Sequence, residues 1–208
     1  MHDLSLTITI LAHGDEAADV RADLKPPDLI AAILAEFGSD LPYLGTDPSQ
    51  YELQRPDGSP LDPKIQLGGQ LAGEQQLVLA EVVPPLPATA SALTPPIYVR
   101  EMHSGEVFAV HWTPALIGRS DPKLSDEALL VVNLSGRKHA DRVSRRHARI
   151  GMQNGALSIE CLANNPITLR TQSKPIALTP GRQYPLHAND VIELEYSQIH
   201  LQIVQRTS

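Results

Sequence analysis

One cysteine, Cys161, is all the chain contains. That excludes an intrachain disulfide framework and a multi-cysteine zinc site. No apolar run approaches the roughly 18 residues of a membrane span, so no membrane insertion is expected. The opening MHDLSLTITILAHGDE has no basic segment ahead of an apolar one. Its polar and apolar residues alternate, which reads as a strand and not as a signal peptide, and a cytoplasmic location is expected. No Gly-rich loop ends in Lys-Ser/Thr, so a P-loop for nucleotide is absent. Positive charge is not in excess. Seventeen Lys and Arg face 24 Asp and Glu, a net charge of -7, which argues against bulk electrostatic binding to nucleic acid.

Catalytic patterns are missing too. Ser144 and His147 are too close in sequence, and lack an acidic partner, to form a hydrolytic triad. His139 and His147 do not stand with carboxylates at metal-ligand spacing. His13-Gly14-Asp15 reads as a turn, and Cys161, within LSIECLA, as a buried strand residue. No enzyme activity, cofactor or metal is expected.

What is present divides in two. Residues 1–96 hold 4 Lys/Arg against 14 Asp/Glu, a balance of -10, whereas residues 97–208 hold 13 against 10, a balance of +3. This asymmetry points to two domains with different partners. In the first half, Leu4, Leu6, Ile8 and Ile10 alternate with polar residues as a half-buried strand. His13-Gly14-Asp15 turns it, and Ala17–Leu24 returns as its hairpin partner. Pro26 and Pro27 open a helix whose Ile30, Ile33, Leu34 and Phe37 repeat at helical spacing, with Gly38 as its stop. Tyr51–Gln54 and Gln76–Val82 follow as strands around a Pro56-Asp57-Gly58 turn.

This order is similar to the ubiquitin-like β-grasp, an α+β fold, and resembles the small ubiquitin-like domains found with bacterial type VII secretion systems. The resemblance places such a domain at residues 1–83. After its last strand the chain runs on as VPPLP, not into the Gly-Gly of a conjugated modifier. A fixed module with its own protein partner is therefore implied. Residues 84–96, PPLPATASALTPP, read as a semi-rigid Pro-rich linker.

From Ile97 onward, short strands follow one another: Ile97–Arg100, Glu106–Trp112, Ala115–Ile117, Leu129–Leu134, His147–Ile150, Leu157–Leu162, Thr168–Leu169, Ile176–Leu178, Val191–Tyr196 and Ile199–Val204. Turn signals such as Asn154-Gly155 and Ala188-Asn189-Asp190 lie between many of them, which argues for an all-β sandwich over residues 97–208. Three loop segments carry polar chemistry: LIGRS at Leu116–Ser120, VSRRHARI at Val143–Ile150 and ANNPITL at Ala163–Leu169. Between Ser135 and Ile150 stand six Lys or Arg and one Asp, a balance of +5. That run reads as a solvated loop, as an anion-attracting wall or as a nucleic-acid contact. The last ranks lowest, because no stacking aromatics interleave with the arginines.

The order Gly-Arg-Ser, then Ser-Arg-Arg-His entering a strand, then Asn-Asn, resembles a forkhead-associated (FHA) domain across residues 97–208. The resemblance implies binding of a phosphothreonine protein. Arg119, Ser144 and Arg145 would address the phosphate, and Asn164 would lie near it. Asn165 would hydrogen-bond the peptide main chain, while Gly118 and His147 would be structural. Pro166 stands where the family commonly has glycine, and Arg170-Thr171 replaces a later Asn-Gly. The expected protein is a phosphothreonine-dependent adaptor in bacterial-type Ser/Thr kinase signalling. The alternative is a phospho-independent scaffold component of a secretion-type assembly.

Overall fold

The computed structural model describes residues 3–71 and 73–206. The outer ends of the two expected domains, residues 1–2 and 207–208, lie outside the described residues. The chain divides into two compact units between Pro84 and Pro85.

In the first unit, β1 (Asp3–Ile10) pairs antiparallel with β2 (Gly14–Arg21), from Asp3 opposite Arg21 to Ile10 opposite Gly14. The expected turn is displaced: residues 11–13 make it, Leu11 takes a positive φ of 43°, and Gly14 already belongs to the strand. Hydrophobic spacing could not mark this boundary, because Val20 is the only buried residue of β2. Polar pairs on the exposed face support the register instead, with Thr9 Oγ1 donating to Asp15 (2.6 Å) and Ser5 Oγ to Asp19 (2.8 Å).

Helix α1 (Pro26–Phe37) buries Leu29, Ile30, Ile33 and Leu34, the stripe that helical spacing requires. It does not end on a left-handed glycine. Gly38 stays right-handed (φ -64°), and its N–H donates to Leu34 O at 3.0 Å. After β3 (Tyr51–Gln54), the short α2 (Leu67–Gln70) and β4 (Gln76–Glu81), the sheet order is β2-β1-β4-β3. β1 and β4 are parallel at its centre and the outer pairs are antiparallel. A parallel central pair needs a long crossover, and the segment containing α1 and β3 supplies it.

The second unit begins earlier than expected. β5 (Ser91–Glu101) takes in residues 91–96, which had been expected to form linker. Ser91 and Ala92 pair with Thr113 and Trp112 of β6 (Val107–Thr113), and pairing resumes at Ile97. Pro95 and Pro96 fall in the irregularity between, where no ladder N–H is asked of them. The strands β7 (Ala115–Gly118), β8 (Leu130–Asn133), β9 (Ala148–Gln153), β10 (Ala156–Cys161), β11 (Ile167–Arg170) and β12 (Pro175–Ala177) follow. The last three are β13 (Gln183–Pro185), β14 (Val191–Leu194) and β15 (Ile199–Gln205). β13 was not foreseen: it is a three-residue edge strand ending in proline, without apolar alternation.

One sheet runs β13-β10-β9-β7-β8 and the other β12-β11-β14-β15-β5-β6. Ile117, Val132, Ile150 and Ile159 from the first share one core with Val99, Val110, Leu169, Ile192 and Leu201 from the second. That is a β-sandwich: each strand turns alternate residues inward, and two sheets close on the apolar layer. The turns at either end are then free to carry polar side chains.

Ile150 is fully buried. Ile150→Ala should therefore cost about 2–5 kcal/mol. Trp112, the only tryptophan, lies in this unit, so its fluorescence during urea unfolding measures the loss directly.

Candidate functional site

β7 ends at Gly118, and the next turn begins there. A Cβ at Gly118 would lie 2.2 Å from Arg145 O and 2.9 Å from Ser144 O. Only glycine lets the 144–145 backbone approach this closely. The contact is held by hydrogen bonds on either side. Arg119 N–H donates to Ser144 O (3.2 Å), His147 N–H to Ile117 O (2.9 Å), and Leu134 N–H to Gly118 O (2.8 Å).

His147 is 1% exposed. Its Nδ1 accepts the Ser144 N–H at 3.1 Å, and its carbonyl accepts Leu162 N–H at 2.9 Å. An accepting Nδ1 requires the neutral imidazole with its proton on Nε2. Burial pushes the pKa down to about 4, so the ring is neutral at physiological pH. His147 thus fixes the Ser144 backbone from below and does not reach the surface.

Two further side chains fasten the same loop from the solvent side. Arg119 Nε donates to Val143 O (2.6 Å), and Asn165 Nδ2 donates to Arg142 O (2.7 Å). Adjacent carbonyls are therefore claimed by residues from two other loops. Arg142 in turn donates from Nη1 to Tyr196 O (3.1 Å). Among the described residues no partner claims the Nη groups of Arg119, the Ser144 hydroxyl or Asn165 Oδ1. Asn164 is exposed beside them.

The charge run behaves differently from its simple count. Arg145 Nε pairs with Asp121 (3.0 Å), Arg149 with Glu160 (2.5 Å), and Arg137 with Glu106. Arg146 is the most committed, with its side chain only 13% exposed. It donates to Asp126 (2.8 Å), Glu127 (2.9 Å), Arg145 O (2.8 Å) and Arg119 O (3.3 Å). The bond from Arg146 lowers the Asp126 pKa, and that to Asp126 raises the Arg146 pKa. Glu127 is lowered first by the Ser120 hydroxyl, at 2.5 Å, and also by Arg146. The expected wall of six cations is thus mostly neutralised by carboxylates outside the 135–150 window. Arg146 and its acidic partners are structural residues that motif reading missed. No local signal marks Asp126 and Glu127, which precede Arg146 by about twenty residues.

The Arg119, Ser144 and Asn165 loops meet at one end of the sandwich, with a guanidinium and a hydroxyl free to donate and an amide oxygen free to accept. Such a set suits a compact anion attached to a peptide. Among the described residues no group of His, Cys, Asp and Glu could hold a metal ion.

No family model matches the chain, and no curated protein matches it. Among solved structures it is similar to the FHA domain of human APLF in complex with an XRCC1 bisphospho peptide. Identity is 22%, over 53% of this chain and 99% of that one, with a TM-score of 0.38. It is also similar to the FHA domain of an Arabidopsis thaliana hypothetical protein, at 20% identity over 59% of this chain and 98% of that one, TM-score 0.39. A third is Mycobacterium tuberculosis EmbR in complex with a low-affinity phosphopeptide, at 22% identity over 54% of this chain and 26% of that one, TM-score 0.37.

Gly118→Ala should destabilise the second unit by about 1–3 kcal/mol, since the added Cβ forces the 144–145 backbone away. Urea unfolding followed at Trp112 measures it. His147 adds a pH signature. Its folded pKa of about 4 lies below the ordinary 6.5, so the unfolded chain takes up this proton first as pH falls. Its contribution is complete above pH 6.5 and is lost on descending toward pH 4, by about 3 kcal/mol in all. His147→Asn, which keeps an acceptor but does not titrate, should flatten that slope relative to wild type.

Proposed function

We propose that the second unit, residues 85–206, acts as an FHA-type phosphothreonine-binding domain, and that the chain is a non-enzymatic adaptor in bacterial-type Ser/Thr kinase signalling in the cytoplasm. One observation carries the reading. Arg119 is anchored through Nε to Val143 O, which leaves its two terminal nitrogens unclaimed on the rim that also presents the free Ser144 hydroxyl.

A phosphothreonine brings about -1.5 to -2 charges and three strong acceptor oxygens. An anchored guanidinium meets it with two parallel donors and little further loss of side-chain freedom. Ser144 offers its hydroxyl to a second phosphate oxygen, held in place through its own N–H bond to His147. Arg145 adds an exposed guanidinium whose Nε is held by Asp121. Asn165, its amide nitrogen spent on Arg142 O, turns Oδ1 toward a main-chain N–H of the bound peptide. Asn164 stands exposed at the phosphate edge. Charge-assisted bonds contribute about 1.5–3 kcal/mol each, so two or three support micromolar affinity without a deep pocket.

The first unit supports the second half of the proposal. Its mixed four-stranded sheet, with the parallel pair at the centre and one long helix, fits a ubiquitin-like β-grasp of the kind found with type VII secretion systems. We read it as a module for a separate protein partner.

Titration with a phosphothreonine peptide library should find ligands that bind more tightly than their unphosphorylated forms. Arg119→Ala should weaken the best of them about tenfold to a hundredfold. Matched phosphoserine peptides should bind about fourfold less well, for one lost buried methyl group. If no phosphopeptide outcompetes its unphosphorylated form, adaptor function is wrong and the phospho-independent scaffold takes its place.

A further inference from the structure

We propose that an apolar groove on the first unit docks a partner segment in which adjacent large apolar side chains are flanked by lysine or arginine. The inference rests on the reading of residues 1–83 as a partner-binding module and does not depend on phosphothreonine recognition by the second unit.

The groove has a volume of about 600 Å³ and is lined by Ile30 from α1, Tyr51 and Leu53 from β3, Leu61, and Val82 just past β4. That is space for more than one apolar side chain. Val82 is 47% exposed, an open apolar residue of a lining whose Ile30, Tyr51, Leu53 and Leu61 are buried. Prolines from the start of α1 and from the turns make up much of the rest. Prolines lose no side-chain freedom on contact, so covering them costs little ordering entropy.

Charge selects the occupant. The lining contains no Lys, Arg or His, but it does contain Asp47 and Glu52. Among the described residues the Asp47 carboxylate accepts only from Ser49, and the Glu52 carboxylate only from Gln54. Neither is held by a cation among the described residues, in contrast to the paired carboxylates around Arg146. The surrounding unit carries 14 Asp/Glu against 4 Lys/Arg. A basic segment is steered toward such a field and an acidic one repelled.

Strand addition is not the mode of docking. β3 is the edge of its sheet, but Leu53 O already accepts Leu61 N–H (2.8 Å) and Arg55 N–H donates to Ser59 O (2.9 Å). With that backbone taken, affinity has to come from side chains seated in the groove.

The test uses the full chain, isotopically labelled, and two short synthetic peptides with adjacent leucines, one flanked by lysines and one by glutamates. The lysine peptide should shift the amide resonances of Ile30, Tyr51, Leu53 and Val82. The glutamate peptide should bind about tenfold more weakly or worse. Val82→Lys and Glu52→Lys should each weaken the lysine peptide by about tenfold. Amide spectra of both variants in which β1, β2 and α1 keep their wild-type dispersion report that the first unit is folded, so weaker peptide binding is separated from unfolding without any ligand of the second unit. Shifts confined to β1 and β2 would overturn the groove and leave the module reading standing. No shift anywhere in the first unit would overturn both. Equal binding of the two peptides would overturn the charge selection, and a groove closed by self-association, seen as a dimer in sedimentation, would overturn the basic partner.

Discussion

The close approach of the Ser144–Arg145 backbone to Gly118 is the contact on which this end of the second unit depends. A strand that ended in any residue with a Cβ would hold that loop off, since the nearest oxygen lies 2.2 Å from where the Cβ would stand. Once the loop is seated, its 142 and 143 carbonyls and the Ser144 N–H find partners, while His147 Nε2 is buried without one. Arg119 and Asn165 take its carbonyls, and His147 receives its Ser144 N–H. Each of these bonds depends on the others, because each requires the loop to lie where the glycine allows it. The network also explains the neutral histidine: a charged imidazolium would have no acceptor to offer Ser144 and would be buried without a counter-ion.

Charge is distributed so that only part of it faces outward. Arg146 and Arg149 are committed to carboxylates that tie segments of the sandwich together, and Arg137 is paired with Glu106. Such pairs add little to stability where they are exposed. Their effect is geometric: Arg146 joins the 126–127 turn to the 144–147 loop, Arg149 ties β9 to β10, and Arg137 reaches Glu106. Arg119 is held differently. A backbone carbonyl anchors it through one nitrogen and neutralises nothing, so its charge has no carboxylate partner among the described residues. Arg146 and Arg119 thus differ in kind: one is surrounded by carboxylates, the other is held by a single carbonyl.

Much of this was legible in the chain. Nearly every strand of the second unit was visible from alternation and turn residues, because one face of each is buried against a single core. Gly118, Arg119, Ser144, His147 and Asn165 stood out by type and order, and the fold brings their loops together. Three features were hidden for physical reasons. β2 has one buried residue, so no apolar period marks its start. The prolines at 95 and 96 look like linker because the ladder skips them, and nothing local announces a bulge within a longer strand. Asp126 and Glu127 neutralise Arg146 from across a turn, and a charge count over a sequence window cannot register a partner outside it.

Asn165-Pro166 shows how a departure from a familiar motif is absorbed. Proline restricts the preceding residue to extended backbone, and Asn165 leads directly into β11, where extended backbone is what the ladder needs. Glycine at 166 would leave that entry to be ordered on folding, at a cost in backbone entropy. Proline gives up an N–H, but its carbonyl still accepts from Glu195 at 3.3 Å, so the connection to β14's end is kept. With the backbone direction set, the Asn165 amide nitrogen reaches Arg142 O, and no partner among the described residues claims its oxygen. The proline therefore constrains the strand side of Asn165 and leaves its side chain to the loop. The third corner of the rim is held as firmly as the first two, by means its sequence alone made look like a defect.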